Sequence, residues 1–244
     1  MEEYLSILIL IVSFIILMGI GVPVAWALGF SSFLTLTVTI ASVPSATTIA
    51  QRMGVGLDSF ALLAIPFFIL AGEIMNKGGI ANRLIDLAKA MTGRLPGGLL
   101  YVNVIAAMLF GAIAGSAAAA ASAIGGILGP RMEKEGYPRE LGAAVNITAS
   151  TTGLIIPPSN VLIVYSLASG GVSIAALFIA GYIPGLLIGL FLMITAAIFI
   201  KKHNLKPGEP TSAKELGTKF LAAFPSLMLL VVVIGGIVVG VFTA

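Results

Sequence analysis

Residues 96–130 read PGGLLYVNVIAAMLFGAIAGSAAAAASAIGGILGP, thirty-five positions without a charged side chain. One helix crossing ~30 Å of hydrocarbon needs ~20 residues, and two crossings plus a turn need more than ~40. The stretch fits neither. Its centre, Gly111-Ala112-Ile113-Ala114-Gly115-Ser116-Ala117, is made of small residues, and glycine there lets the backbone turn where a Cβ would obstruct it. The pattern predicts a re-entrant helical hairpin over 96–130, with two arms of ~14 residues that enter and leave the membrane on the same side.

The charges on either side test that reading. The segments 77–94, 131–139 and 201–219 carry twelve of the thirteen Lys and Arg residues, and Arg52 is the thirteenth. If the hairpin returns to its own side, all three segments share one face. A single crossing would split the basic residues nine to four. Basic loops collect on the cytoplasmic side, which favours the return. Two full crossings would give the same parity, so length rather than charge disfavours them. The N-terminus and Ala244 then lie on the outer face.

The rest of the chain is equally apolar. Hydrophobic residues make up 59% and charged residues 9%, where a soluble domain is about 25% charged. Apolar runs at 5–21, 24–43, 59–75, 174–200 and 221–241 are read as membrane helices. The first is a retained span rather than a secretory leader, because residues 1–8 hold two acids and no base. Between the spans, the polar stretch 44–58 suits an interface. Residues 76–94 place Ile80, Leu84, Leu87 and Met91 at helical spacing, which predicts an amphipathic helix on the membrane surface. A short surface helix is expected over 211–220. A net charge of +3 does not suggest a nucleic-acid partner, and the absence of cysteine excludes disulfides and thiolate metal sites.

A second interruption lies in the apolar region 141–168, at Gly153-Leu154-Ile155-Ile156-Pro157-Pro158-Ser159. Two prolines remove two backbone donors and force a kink or an unwound segment, which predicts a discontinuous helix over 140–168. Irregular backbone at membrane depth is tolerated only where it is buried in protein or lines a cavity. Two such places are expected, the hairpin tip near Gly115-Ser116 and the break between Ser150 and Ser159. Carbonyl and hydroxyl oxygens there suit a hard cation such as Na+, and half-helix N-termini suit a carboxylate. The pairs Gly111/Gly115, Gly125/Gly129 and Gly181/Gly185 have the spacing of close helix packing, which is the plainer reading of the same glycines.

No ionisable residue lies inside the hairpin or the broken helix, which favours sodium over proton coupling. Glu73 reads as an interfacial partner for Lys77, Asp58 as a helix cap, and Trp26 as an aromatic facing lipid or a neighbouring helix. His203, the sole histidine, sits in a basic loop, so a serine hydrolase within the membrane has no base. No phosphate loop, metal spacing or nucleotide fingerprint is present, and the chain is read as a non-enzyme.

Several short stretches, taken in order, resemble the large membrane subunit (M, or DctM type) of tripartite ATP-independent periplasmic (TRAP) transporters. They are 21–25 (GVPVA), 63–75 (LAIPFFILAGEIM), 96–99 (PGGL), 115–117 (GSA), 155–159 (IIPPS), 177–181 (LFIAG) and 183–185 (IPG). The resemblance implies an all-α membrane protein of multi-spanning helices, one inverted-repeat half of an elevator-type transporter. Its segments would be scaffold-type spans and a surface helix over 1–95, the hairpin over 96–130, the discontinuous helix over 140–168 and further spans over 173–244. Relatives continue from a similar Gly-x-Phe-Thr into a second half, so a second repeat is expected to be absent here.

The resemblance also implies sodium-driven import of an organic acid (a dicarboxylate, sugar acid or sialic acid) across the bacterial inner membrane. Partners would be a small Q-type membrane subunit, a periplasmic substrate-binding protein and membrane lipid. No cofactor is implied, with Na+ as the coupling ion. Carried onto this chain, the ion and substrate site falls on Gly115, Ser116, Thr151, Thr152, Gly153, Pro157 and Ser159. Residues 117–121 are all alanine where many relatives carry an acidic or hydroxyl residue, which removes one polar contact from that arm. The alternatives are a sodium-coupled carrier without a binding protein and a non-transporting membrane scaffold.

Overall fold

The computed structural model describes residues 2–58, 60–203, 205 and 212–241, and every regular element among them is helical. Contacts divide the chain into two compact units, Met1–Phe60 and Ala61–Ala244.

The first unit holds α1 (Glu2–Gly19), α2 (Val24–Thr39) and α3 (Ser42–Leu57). Gly21, at φ 85°, turns the chain between α1 and α2, and Pro23 leads into α2 with a φ of −56° that its ring already imposes. The hydroxyls of Ser31 and Thr35 donate to the carbonyls of Leu28 (3.1 Å) and Ser31 (2.8 Å). Bonds of this kind let polar side chains sit in an apolar helix without an unmet donor. Most of the polar stretch 44–58 lies in α3. Pro44 falls in its first turn, where a missing N–H costs nothing. Trp26 is 63% exposed and stacks on Phe30 at 5.9 Å.

The second unit continues from α4 (Phe60–Lys77) through α5 (Ile80–Thr92), α6 (Gly98–Ala114), α7 (Ala117–Lys134), α8 (Arg139–Ser150), α9 (Asn160–Ala168), α10 (Ile174–His203) and α11 (Ala213–Val239). Its core joins Leu84, Ile85 and Leu87 of α5 to Leu100 and Phe110 of α6 and to Ile124, Leu128 and Met132 of α7. The amphipathic face of α5 therefore packs on protein, principally α6 and α11. Of its four apolar positions, Leu84 and Leu87 are buried and Met91 is 57% exposed. Glu73 and Lys77 do not pair among the described residues; an ion pair joins Asp86 Oδ2 of α5 to Lys219 Nζ of α11 at 2.7 Å.

The segments 211–220 and 221–241 are not separate elements. From Ala213 they form one 27-residue helix that runs through Pro225. With α10, it is long and apolar enough to cross a membrane. Both faces of α10 are apolar; Phe178 and Ile200 are buried towards its two ends, and between them the faces differ in size. Ile179, Ile183, Leu186, Leu190, Ile194 and Ile198 point outward at three- to four-residue steps, each about half exposed or more. Gly181, Gly185 and Gly189 line the inward face, close against Ile155, Ile156 and Met108. A soluble helix would place polar residues on the outer face. An apolar outer face and a small-residue inner face describe a helix whose solvent is lipid.

Candidate functional site

Helices α6 and α7 are joined by Gly115 and Ser116 alone. Gly115 sits at φ 60°, a left-handed conformation that closes α6 with its N–H donating to the Gly111 carbonyl at 2.8 Å. Ser116 is extended and accepts the Ala119 N–H on Oγ at 3.3 Å, starting α7. The arms are 17 and 18 residues long. Both exceed the ~14 residues expected from the sequence, the second because its helical geometry runs past Pro130 into the charged end Arg131–Lys134.

The second interruption lies between α8 and α9. A 3-10 turn, Thr151–Leu154, follows α8, and the N–H groups of Ile155 and Ile156 both donate to the Thr152 carbonyl, at 3.0 and 2.8 Å. Pro157 and Pro158, joined by a cis peptide bond, offer no donor. Ser159 then bridges the gap. Its buried hydroxyl donates to the Leu154 carbonyl before the prolines and accepts the Leu162 N–H after them, at 3.3 Å.

The two interruptions meet backbone to backbone. A Cβ added at Gly111 would stand 2.5 Å from Gly153 Cα, and one added at Gly153 would stand 2.7 Å from Gly111 Cα. At the tip, a Cβ on Gly115 would lie 2.8 Å from the Pro158 carbonyl oxygen and 3.6 Å from Asn160 N. From the far side, α10 presents Gly181 and Gly185, where a Cβ would lie 2.4 Å from Ile155 O and 2.4 Å from Ile156 Cγ1. The break is thus held between two ridges of small residues.

Of the residues singled out from the sequence, Gly115, Ser116, Gly153, Pro157 and Ser159 belong to this junction. Thr152 is buried behind it, with its hydroxyl donating to the Ala149 carbonyl at 2.6 Å. Thr151 stands apart; it is exposed, and its hydroxyl donates to Thr148 O at 2.7 Å. The structure adds Asn160, the first residue of α9, whose side-chain oxygen is buried without a hydrogen-bond partner. The signal in the sequence was a polar pair, Ser159-Asn160, at the head of an apolar nine-residue helix.

No Asp, Glu, Lys or Arg occurs at 95–130 or 141–200, so the field at the junction comes from the backbone. The N-termini of α7 and α9 both begin there, each carrying partial positive charge. Carbonyl oxygens and the Asn160 amide oxygen lie beside them. Such a set offers oxygen ligands to a small hard cation and N–H dipoles to a carboxylate, without a fixed charge favouring either. Tyr137 lies outside the membrane helices, between α7 and α8. Burial pushes its phenol upward, and a backbone hydrogen bond from Leu99 partly offsets this.

Long lipid-facing helices with an unwound segment packed on a helical hairpin define an all-helical membrane protein. The description "Tripartite ATP-independent periplasmic transporter, DctM component" matches residues 11–244, and the chain belongs to this family, whose members are transporter permeases rather than enzymes. It is 51% identical over 242 residues to YgiK of Salmonella typhimurium, itself described as uncharacterized, covering 99% of this chain and 56% of that protein. It is 39% identical over 252 residues to the C4-dicarboxylate TRAP transporter large permease protein DctM of Rhodobacter capsulatus, covering 98% and 57% respectively. The 2,3-diketo-L-gulonate TRAP transporter large permease protein YiaN of Escherichia coli is 39% identical over 228 residues, covering 92% and 52%. The chain spans about half the length of the curated relatives it matches.

Proposed function

We propose that this chain contributes the ion site and one side of the substrate site of a permease subunit that imports an organic acid by sodium-coupled transport across the bacterial inner membrane. The observation that carries the proposal is the junction of Gly115-Ser116 with Pro158-Ser159-Asn160, where two helix N-termini and the unpaired Asn160 amide oxygen converge in a region without charged side chains. Discontinuous helices with this arrangement mark the binding sites of secondary transporters. The relatives named for C4-dicarboxylate and for 2,3-diketo-L-gulonate carry organic acids, which fits a carboxylate at the dipole ends. Na+ is assigned to oxygens at the tip and the break, with Gly115, Ser116, Thr152, Gly153, Pro157, Ser159 and Asn160 as the residues around it. Thr151 is a weaker member because its side chain faces outward.

In this reading α6 and α7 form a re-entrant hairpin whose foot lies on the basic cytoplasmic face, and the chain is one repeat of an elevator-type carrier. A small membrane subunit and a periplasmic binding protein complete the system. The test is uptake of labelled organic acid by the complete assembly in vesicles. Uptake is expected to disappear when choline replaces sodium, and to fall strongly in the Ser116→Ala/Ser159→Ala double variant at unchanged protein level. Undiminished uptake in choline removes sodium coupling, and undiminished uptake in the folded double variant removes both hydroxyls from the site.

A further inference from the structure

Away from the tip, a cavity of about 540 Å³ opens between α6, α7 and α8 near the foot of the hairpin. Its size is that of small-molecule sites, about 300–1,000 Å³. Asn103 lines it, is 1% exposed, and has no hydrogen-bond partner for either its amide nitrogen or its amide oxygen. Asn146, beside it, donates to the Ala121 carbonyl at 2.9 Å and leaves its own oxygen buried and unpartnered. Buried carboxamides are ordinarily satisfied, so the cavity presents a donor and two acceptors to an occupant.

The wall is kept low by glycine. Gly126 faces open space, with nothing within 4 Å of an added Cβ. At the mouth, Arg139 Nε stands 3.3 Å from Glu133 Oε1, both side chains more than half exposed. The neighbouring Arg131 and Glu135 pair with each other at 3.5 Å. The mouth therefore offers one positive and one negative group. Asn103 lies five residues into α6, about 7.5 Å from its first residue along the axis.

We propose that this cavity holds the headgroup and glycerol of a phosphatidylethanolamine-class lipid. Arg139 takes the phosphate, Glu133 the primary ammonium, and the Asn103 amide an ester oxygen, all three side chains lining the one cavity. A balanced charge pair selects a zwitterion over an anionic lipid, because what the second gains at Arg139 it loses at Glu133. It selects ethanolamine over choline because a quaternary ammonium has no N–H to donate to a carboxylate. The proposal rests on the membrane reading of the fold and not on the transport proposed above.

The experiment is native mass spectrometry of the full chain released from detergent with equimolar palmitoyl-oleoyl phosphatidylethanolamine, phosphatidylcholine and phosphatidylglycerol. One ethanolamine lipid is expected to be retained in preference to the other two. Arg139→Gln should lower retention of both zwitterionic lipids about tenfold, the loss of one charge-assisted contact. Glu133→Gln should bring ethanolamine down to the level of choline. Gly126→Leu, at a position with room for a side chain, should fill the groove and remove retention while melting as the parent does. Equal retention of choline lipid by the parent, undiminished retention in Gly126→Leu, or an ethanolamine preference that survives Glu133→Gln would overturn the proposal. So would displacement of the lipid by soluble glycerophosphoethanolamine at equal concentration, which would make the ligand a water-borne phosphate ester.

Discussion

Ser116 and Ser159 have nearly the same backbone conformation, extended at φ −142° and −125°, and each starts a helix by accepting an N–H three residues on. Their surroundings separate them. Ser159 also donates across the proline gap to Leu154 and is buried, whereas Ser116 is half-buried. Ser159→Ala should therefore destabilise the chain by about 1–2 kcal/mol, from a lost cap and an unmet carbonyl. Ser159→Asn, which keeps a capping oxygen, should recover part of that. Thermal melting in detergent of the two variants beside the parent checks the order, and equal melting would show that the hydroxyl is not structural. The sequence marked both serines, since each follows a glycine- or proline-rich interruption. It offered Asn160 only as the second member of a polar pair at the head of α9, because an amide oxygen left without a partner is a property of packing.

At the scale of elements, the turn between α6 and α7 and the break between α8 and α9 were legible for one reason: each is a defect in an otherwise continuous apolar run, and glycine or proline chemistry locates the defect. Elsewhere the pattern is ambiguous. Ile80, Leu84 and Leu87 at helical spacing describe a helix on lipid and a helix on protein equally well, and only the buried contacts of Leu84 and Leu87 decide. The charges Lys214, Glu215 and Lys219 suggested a surface helix ending before the span. In the fold Lys219 finds Asp86, and α11 continues through Pro225, as membrane helices tolerate. The hairpin's placement is testable because the chain has no cysteine of its own. Arg94→Cys and Lys134→Cys, made singly, should both react with an impermeant maleimide in inverted vesicles and be protected in right-side-out ones. Labelling from opposite sides would mean that residues 96–130 cross the membrane.

For the whole molecule, lipid as solvent reverses the ordinary rule of which residues go inside. On α10, Ile179, Ile183, Leu186, Leu190 and Ile194 face outward, and Gly181, Gly185 and Gly189 face the protein between the buried Phe178 and Ile200. Bulk therefore sorts the faces where polarity would in water. Ile183→Asp, on the outer face and 69% exposed, should impede membrane insertion by about 2.5–3.5 kcal/mol on the insertion scale. Gly185→Leu, on the inner face, should leave insertion unchanged and lower the melting temperature, because the added atoms meet Ile156. Carbonate extraction and melting of the two variants separate the effects, and identical behaviour would show that the faces are not distinguished.

The glycines around the proline break leave it no slack. Gly111 touches Gly153 on one side, and on the other Gly181 and Gly185 crowd Ile155 and Ile156. Rewinding residues 151–159 into regular helix would drive main-chain atoms into neighbours already in contact. The segment is a keystone, locked by the pieces it separates, so a change of shape at this point must carry α6, the break and α10 together as one block.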